Sequence, residues 1–176
     1  MNFKKKSTRV IIIATMVTIS LILLKKYTNE NTPITIPVPQ KIVIYNSSKT
    51  KTIDSKDKNF NKILRLTAKR LKPTEKMTIS SKDQAILLQQ VNMCKNAWSC
   101  LEFIYDNSTS LNLDNSIEKE FKFKRLFFLI SAEATLDFGT NMIYGEENYT
   151  HILDNIDDEK IMIRLLRIVE NGIPYS

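Results

Sequence analysis

FKFKRLFFLIS, residues 121–131, changes pattern midway. Apolar and basic residues alternate from Phe121 to Lys124, and Arg125 follows. From Leu126 to Ile130 every residue is apolar. Alternation marks a strand with one wet face, and a short continuous apolar run marks a strand covered on both faces. The stretch therefore predicts the central strand of a sheet whose second half lies between two layers.

Other segments supply its neighbours. KIVIYNSS (41–48) alternates and ends in turn residues, and KTKTID (49–54) returns as its hairpin partner. LEFIYD (101–106) and NMIYG (141–145) read as further strands. Three helices fill the gaps. In 57–71 the residues Phe60, Ile63, Leu64, Thr67 and Leu71 share one face at helical spacing, and Lys72-Pro73 ends the segment. Ser81-Lys-Asp-Gln84 has the form of a capping box, followed by the stripe Leu87, Val91, Cys94 and Trp98. Asp157, Asp158 and Glu159 open the last helix, Arg164 and Arg167 lie in its later turns, and Gly172 is read as its stop. Its core face is Ile161, Leu165, Ile168 and Val169. The order β, β, α, α, β, β, β, α predicts an α+β domain, a mostly antiparallel sheet covered by about three helices. With three glycines in the whole chain, Gly-rich phosphate loops are excluded.

The N-terminal region is of another kind. Residues 10–24 are uncharged and largely apolar, between Lys4, Lys5, Lys6 and Arg9 on one side and Lys25 and Lys26 on the other. A run of this length lies between a signal-peptide core and a membrane span. The exit, LLKKYTNENTP, has no small-residue cleavage site, and snorkelling lysines lengthen the effective span. These flanks favour a retained signal anchor over a cleaved signal or a buried helix. The excess of basic residues before the span keeps the N-terminus in the cytoplasm. The expected organisation is a cytoplasmic tail (1–9), a transmembrane helix (10–27), an extended linker with Pro33, Pro37 and Pro39 (28–40), and an extracytoplasmic domain (41–176).

The strand pattern KIVIYN, KTI, FNKILRLT, then LEFIYD, FKRLFFLIS and MIYGEENY, over roughly residues 41–150, resembles small extracytoplasmic proteins of Gram-positive spore-forming bacteria. Those are membrane-anchored or secreted, with a domain of unknown function. The resemblance implies a place in the bacterial cell envelope and no known catalytic residues.

Catalytic motifs do not emerge. His151 is the single histidine, read as exposed or at the start of a helix, and with Glu146 and Glu147 it falls short of a metal ligand set. Glu118 and Glu120 are explained by cross-strand pairing with the lysines of 121–131. No nucleophile motif, metal site or cofactor site is expected.

Cys94 and Cys100 are the only cysteines. If a helix ran through both, their Cα atoms would be about 9 Å apart, beyond the roughly 7 Å that a disulfide spans. A bond between them requires the helix to end near Ala97 and the chain to turn back. The alternative makes Cys94 a small apolar residue on the Leu87/Val91/Trp98 stripe.

Charge carries the one functional signal. Residues 41–76 hold eleven basic and three acidic side chains, whereas 101–176 hold seven and fourteen. Lys58, Lys62, Arg65, Lys69 and Lys72 recur at intervals of four, three, four and three, within about 80° of one another on a helix. Solvation alone accounts for such a stripe. It also suits docking on anionic lipid or an anionic wall polymer. Nucleic acid is not expected as a partner outside the cell. The reading is a non-enzymatic interaction module at the outer face of the membrane, with an envelope protein as a further partner. The alternative is a cell-envelope enzyme acting on wall polymers.

Overall fold

The computed structural model describes residues 18, 20, 35–71, 79–81, 84–111, 121–131, 142–153 and 159–172. Met1–Thr32 and Pro33–Ser176 form separate compact units. Thr18 and Ser20 are helical; the rest of the anchor placed over 10–27, the tail 1–9 and the linker 28–34 lie outside the described residues. Among the described residues no helix is long and apolar enough to cross a membrane. Lys72, Glu118, Glu120, Asp157, Asp158 and the two central positions of the capping box also lie outside them.

Pro33–Ser176 is α+β. Its strands are β1 (Lys41–Asn46), β2 (Lys49–Ile53), β3 (Ile79–Ser81), β4 (Cys100–Leu111), β5 (Phe121–Leu129), β6 (Met142–Gly145) and β7 (His151–Leu153). The helices are α1 (Phe60–Arg70), α2 (Gln84–Ala97) and α3 (Glu159–Gly172). One seven-stranded sheet runs β2-β1-β4-β5-β6-β7-β3, with every neighbouring pair antiparallel. As the apolar run demands, β5 lies in the middle of the sheet.

Period-2 alternation sends alternate residues to two cores. Ile42, Ile44, Leu101, Phe103, Leu126, Phe128, Met142 and Tyr144 share a core with Phe60, Ile63 and Leu66 of α1 and Met162, Leu165 and Val169 of α3. Cys100, Phe127, Leu129, Ile143 and Ile152 share the second with Leu87, Val91 and Cys94 of α2. The sheet is thus covered by two helices on one face and one on the other.

The hairpin is as read, closed by Ser47 and Ser48, both at positive φ (48° and 68°). Other expectations are corrected. Strands β3 and β7 were not foreseen, and Ser81 is the last residue of β3. His151 belongs to β7, where it faces Tyr144 and Ser81 and is half-buried. Gly172 is the last residue of α3 rather than the stop beyond it. On α1 the buried set is Phe60, Ile63, Leu66, Thr67 and Arg70, with Leu64 only partly covered. The fold takes in more than 41–176. Ile36 is buried in the larger core, Tyr105 Oη donates to the Pro37 carbonyl at 2.9 Å, and the Gln40 N–H donates to the Ile104 carbonyl at 2.9 Å.

Candidate functional site

Glu102 lies on β4, on the α2 side of the sheet, opposite Val43 of β1 and Phe127 of β5. Only 2% of it is exposed. A buried carboxylate is tolerated only when its lone pairs are filled, and here four groups fill them. Oε2 accepts from Lys95 Nζ at 2.8 Å and from Tyr45 Oη at 2.7 Å. Oε1 accepts from Arg125 Nη1 at 3.1 Å and from Tyr149 Oη.

Each partner is brought in by a separate element. Tyr45 is next but one to Val43 on β1, and so on the same face. Arg125 is the last basic residue of β5, just before its apolar run. Lys95 lies on α2 one residue after Cys94, so its stem runs along the edge of the buried stripe. Its ammonium lies 4.8 Å from the Tyr45 ring centre, 5.8 Å from that of Tyr149 and 5.9 Å from that of Phe127, within reach of all three π faces.

Tyr149 depends on a tight turn after β6. At Gly145 a Cβ would lie 1.8 Å from the Asn148 carbonyl oxygen, so only glycine lets the chain fold back there. The Thr150 N–H donates to the Tyr144 carbonyl, Lys124 pairs with Glu147 at 2.9 Å, and Ser108 Oγ donates to Glu146. Ser108 reaches that turn because four residues of β4, 105–108, bulge opposite the single Lys124.

The electrostatics follow from the geometry. Burial by itself would raise the Glu102 pKa. The hydrogen bond and charge of Lys95, with the two phenols, overcome this and hold it below the usual carboxylate range. Burial and the Glu102 charge push the phenols of Tyr45 and Tyr149 up, so both stay protonated as donors. A carboxylate in this state makes a poor general base, since taking a proton would cost it a partner. The cluster holds two cations and one anion. The surplus positive charge is carried toward solvent, because the Arg125 side chain is 41% exposed and that of Lys95 17%. Chemically the arrangement is a closed polar tie joining β1, β4, β5, α2 and the turn after β6.

The residues singled out from the sequence lie elsewhere. Lys58, Lys62, Arg65 and Lys69 are all exposed, and none of the four has an ion-pair partner among the described residues. Lys62, Arg65 and Lys69 lie on α1, and Lys58 precedes it. Cys94 and Cys100 share the smaller core as free thiols rather than a disulfide. Helix α2 does end at Ala97, but the Cys100 thiol donates to the Cys94 main-chain carbonyl at 3.3 Å instead of meeting its sulfur. Burial raises the Cys94 thiol to about 11 and pushes that of Cys100 higher still.

His151 stacks on Tyr144, with centroids 5.1 Å apart, and Thr150 Oγ1 lies 2.7 Å from its Nδ1. Among the described residues no group of three or more His, Cys, Asp or Glu could hold a metal ion. The sequence reading missed Glu102, Lys95, Tyr45, Arg125 and Tyr149. The available signal was an acid inside LEFIYD, flanked by apolar residues beside a strand expected to be covered on both faces. No protein-family model, curated protein or solved structure matches the chain.

Proposed function

We propose that the chain is a single-pass membrane protein whose N-terminus lies in the cytoplasm and whose domain lies outside, acting as a non-enzymatic binding module. The exposed edge of α1 docks that domain on a polyanionic surface, either lipid headgroups or a wall polymer. One observation carries the reading: Lys58, Lys62, Arg65 and Lys69 are exposed and without ion-pair partners among the described residues, while the opposite side of α1 fills the core. Each basic residue near an anionic bilayer contributes about 1 kcal/mol. On the α2 side of the sheet, Lys95 and Arg125 are both engaged by Glu102.

Flotation of fragment 33–176, which keeps Ile36, with anionic and with neutral vesicles tests this, alongside co-sedimentation with purified anionic wall polymer. Binding to one of the polyanions at low salt is expected, with loss on Lys62→Glu, Arg65→Glu and Lys69→Glu combined. Equal recovery of wild type and triple variant overturns the docking. The anchor is tested by N-terminal sequencing of the protein from the membrane fraction, where a chain beginning beyond residue 27 overturns it.

A further inference from the structure

Helix α2 differs from the other two helices in what it shows to water. The outer side of α1 carries Lys62, Arg65 and Lys69, and that of α3 carries Glu159, Lys160, Arg164 and Arg167. The exposed side of α2 carries no charge at all, since its one charged residue, Lys95, is turned in to Glu102. Instead Ile86, Leu88 and Met93 are 51%, 40% and 55% exposed, three of the five large apolar side chains exposed among the described residues. Ile86, Gln90, Met93 and Ala97 recur at intervals of four, three and four, within about 60° of one another. That is the spacing of the seam between two packed helices.

The chemistry of this face selects its partner. Gln89, Asn92 and Asn96 are exposed beside the seam. A carboxamide both donates and accepts, so it is satisfied by a copy of itself, as a lysine or a glutamate is not. A symmetric pairing brings the same patch against itself, which a charge-free face allows without like-charge repulsion. Among the described residues, the sheet edges and α1 resist self-pairing. Edge strand β2 carries Lys49 and Lys51, edge strand β3 has three residues, and α1 is uniformly basic.

We propose that α2 is the contact through which two copies of this chain associate. Fourteen residues give a helix about 21 Å long, and a strip of that length buries well under the ~1,000 Å² of a stable interface. The dimer is therefore weak and forms at high local concentration. The proposal stands independently of the anionic docking by α1.

The test uses the full-length chain in native membranes with Gln89→Cys, a short bismaleimide and Lys160→Cys, at an exposed position of α3, as the control. Cys94 and Cys100 are buried and supply little background. Gln89→Cys is expected to give cross-linked dimer where Lys160→Cys does not. Adding Met93→Lys sets like charges face to face and should lower the yield at least about tenfold, the effect of 1.4 kcal/mol. Met93 is exposed, so the melting curve should stay unchanged. Equal cross-linking at both positions, or a yield indifferent to Met93→Lys, overturns the proposal. So does a Met93→Lys chain that loses binding to neutral vesicles instead, which would assign the face to lipid.

Discussion

Glu102→Gln removes one charge and almost no volume. The side chain then has one oxygen and one NH₂ where it had two oxygens. Whichever way it turns, the NH₂ meets either Lys95 or Arg125, and neither can accept a hydrogen bond. Breaking a buried ion pair from one side costs about 3–5 kcal/mol. Arg125 is half-exposed and can swing to water, so the lower end is expected when the NH₂ faces it. At about 2–4 °C per kcal/mol for a domain of this size, the melting point should fall by about 6–12 °C. Thermal and urea unfolding of 33–176 at neutral pH, followed by the single tryptophan, Trp98, which packs against the same core, measure the melting point and the free-energy loss. Glu102→Leu with Lys95→Met, Tyr45→Phe and Tyr149→Phe should recover much of the loss, because no buried charge or phenol hydroxyl is then left alone. The folded-state pKa of Glu102 is depressed, so its stabilisation is present at neutral pH. It is lost as pH falls below about 4, toward that depressed value. The gap between wild type and Glu102→Gln should close in acid. A cost under about 1 kcal/mol, or strict additivity with Lys95→Met, would refute the account of the cluster.

Cys94 and Cys100 should count as two free thiols in denaturant, and both should resist a thiol reagent in the native protein at neutral pH; a single fast thiol contradicts their burial. Ser47 and Ser48 both hold positive φ in a two-residue turn, where Asn-Gly is preferred, so Ser47→Asn with Ser48→Gly should stabilise by about 1 kcal/mol in urea unfolding. That gain is net of the exposed hydrogen bond from Ser48 Oγ to the Asn96 carbonyl. A fragment starting at Lys41 should be less stable than 33–176 by at least about 2 kcal/mol, the burial of Ile36 alone; equal denaturation midpoints would show that the extended residues 35–40 are only a tether.

What was legible in the sequence was periodic. The hairpin, β5 and the stripe Leu87, Val91 and Cys94 follow from apolar spacing over five or more residues. Strands β3 and β7 have three residues each, too short to show any period, and are strands only because they pair with one another and with β6. Arg70 is on the core side of α1 at helical spacing from Phe60, Ile63 and Thr67, yet its charge argued for solvent. It is buried there, and its Nη1 donates to the Leu129 carbonyl at 3.1 Å. The Glu102 cluster draws in Tyr45, 57 positions before Glu102, and Tyr149, 47 positions after it, so no local pattern could assemble it. Ile36 was hidden by the prolines around it, which suit a tether and a packed extended segment equally well.

The most direct test of the central claim is the ratio of partition coefficients of 33–176 between anionic and neutral vesicles at low salt. Four exposed cations at about 1 kcal/mol each place that ratio near a thousandfold if all four engage. The account predicts a ratio of at least about a hundred, falling steeply with added salt and abolished when Lys62, Arg65 and Lys69 become Glu. A ratio near one at low salt, with no binding to anionic wall polymer, would contradict it and leave the basic edge of α1 a solvated face.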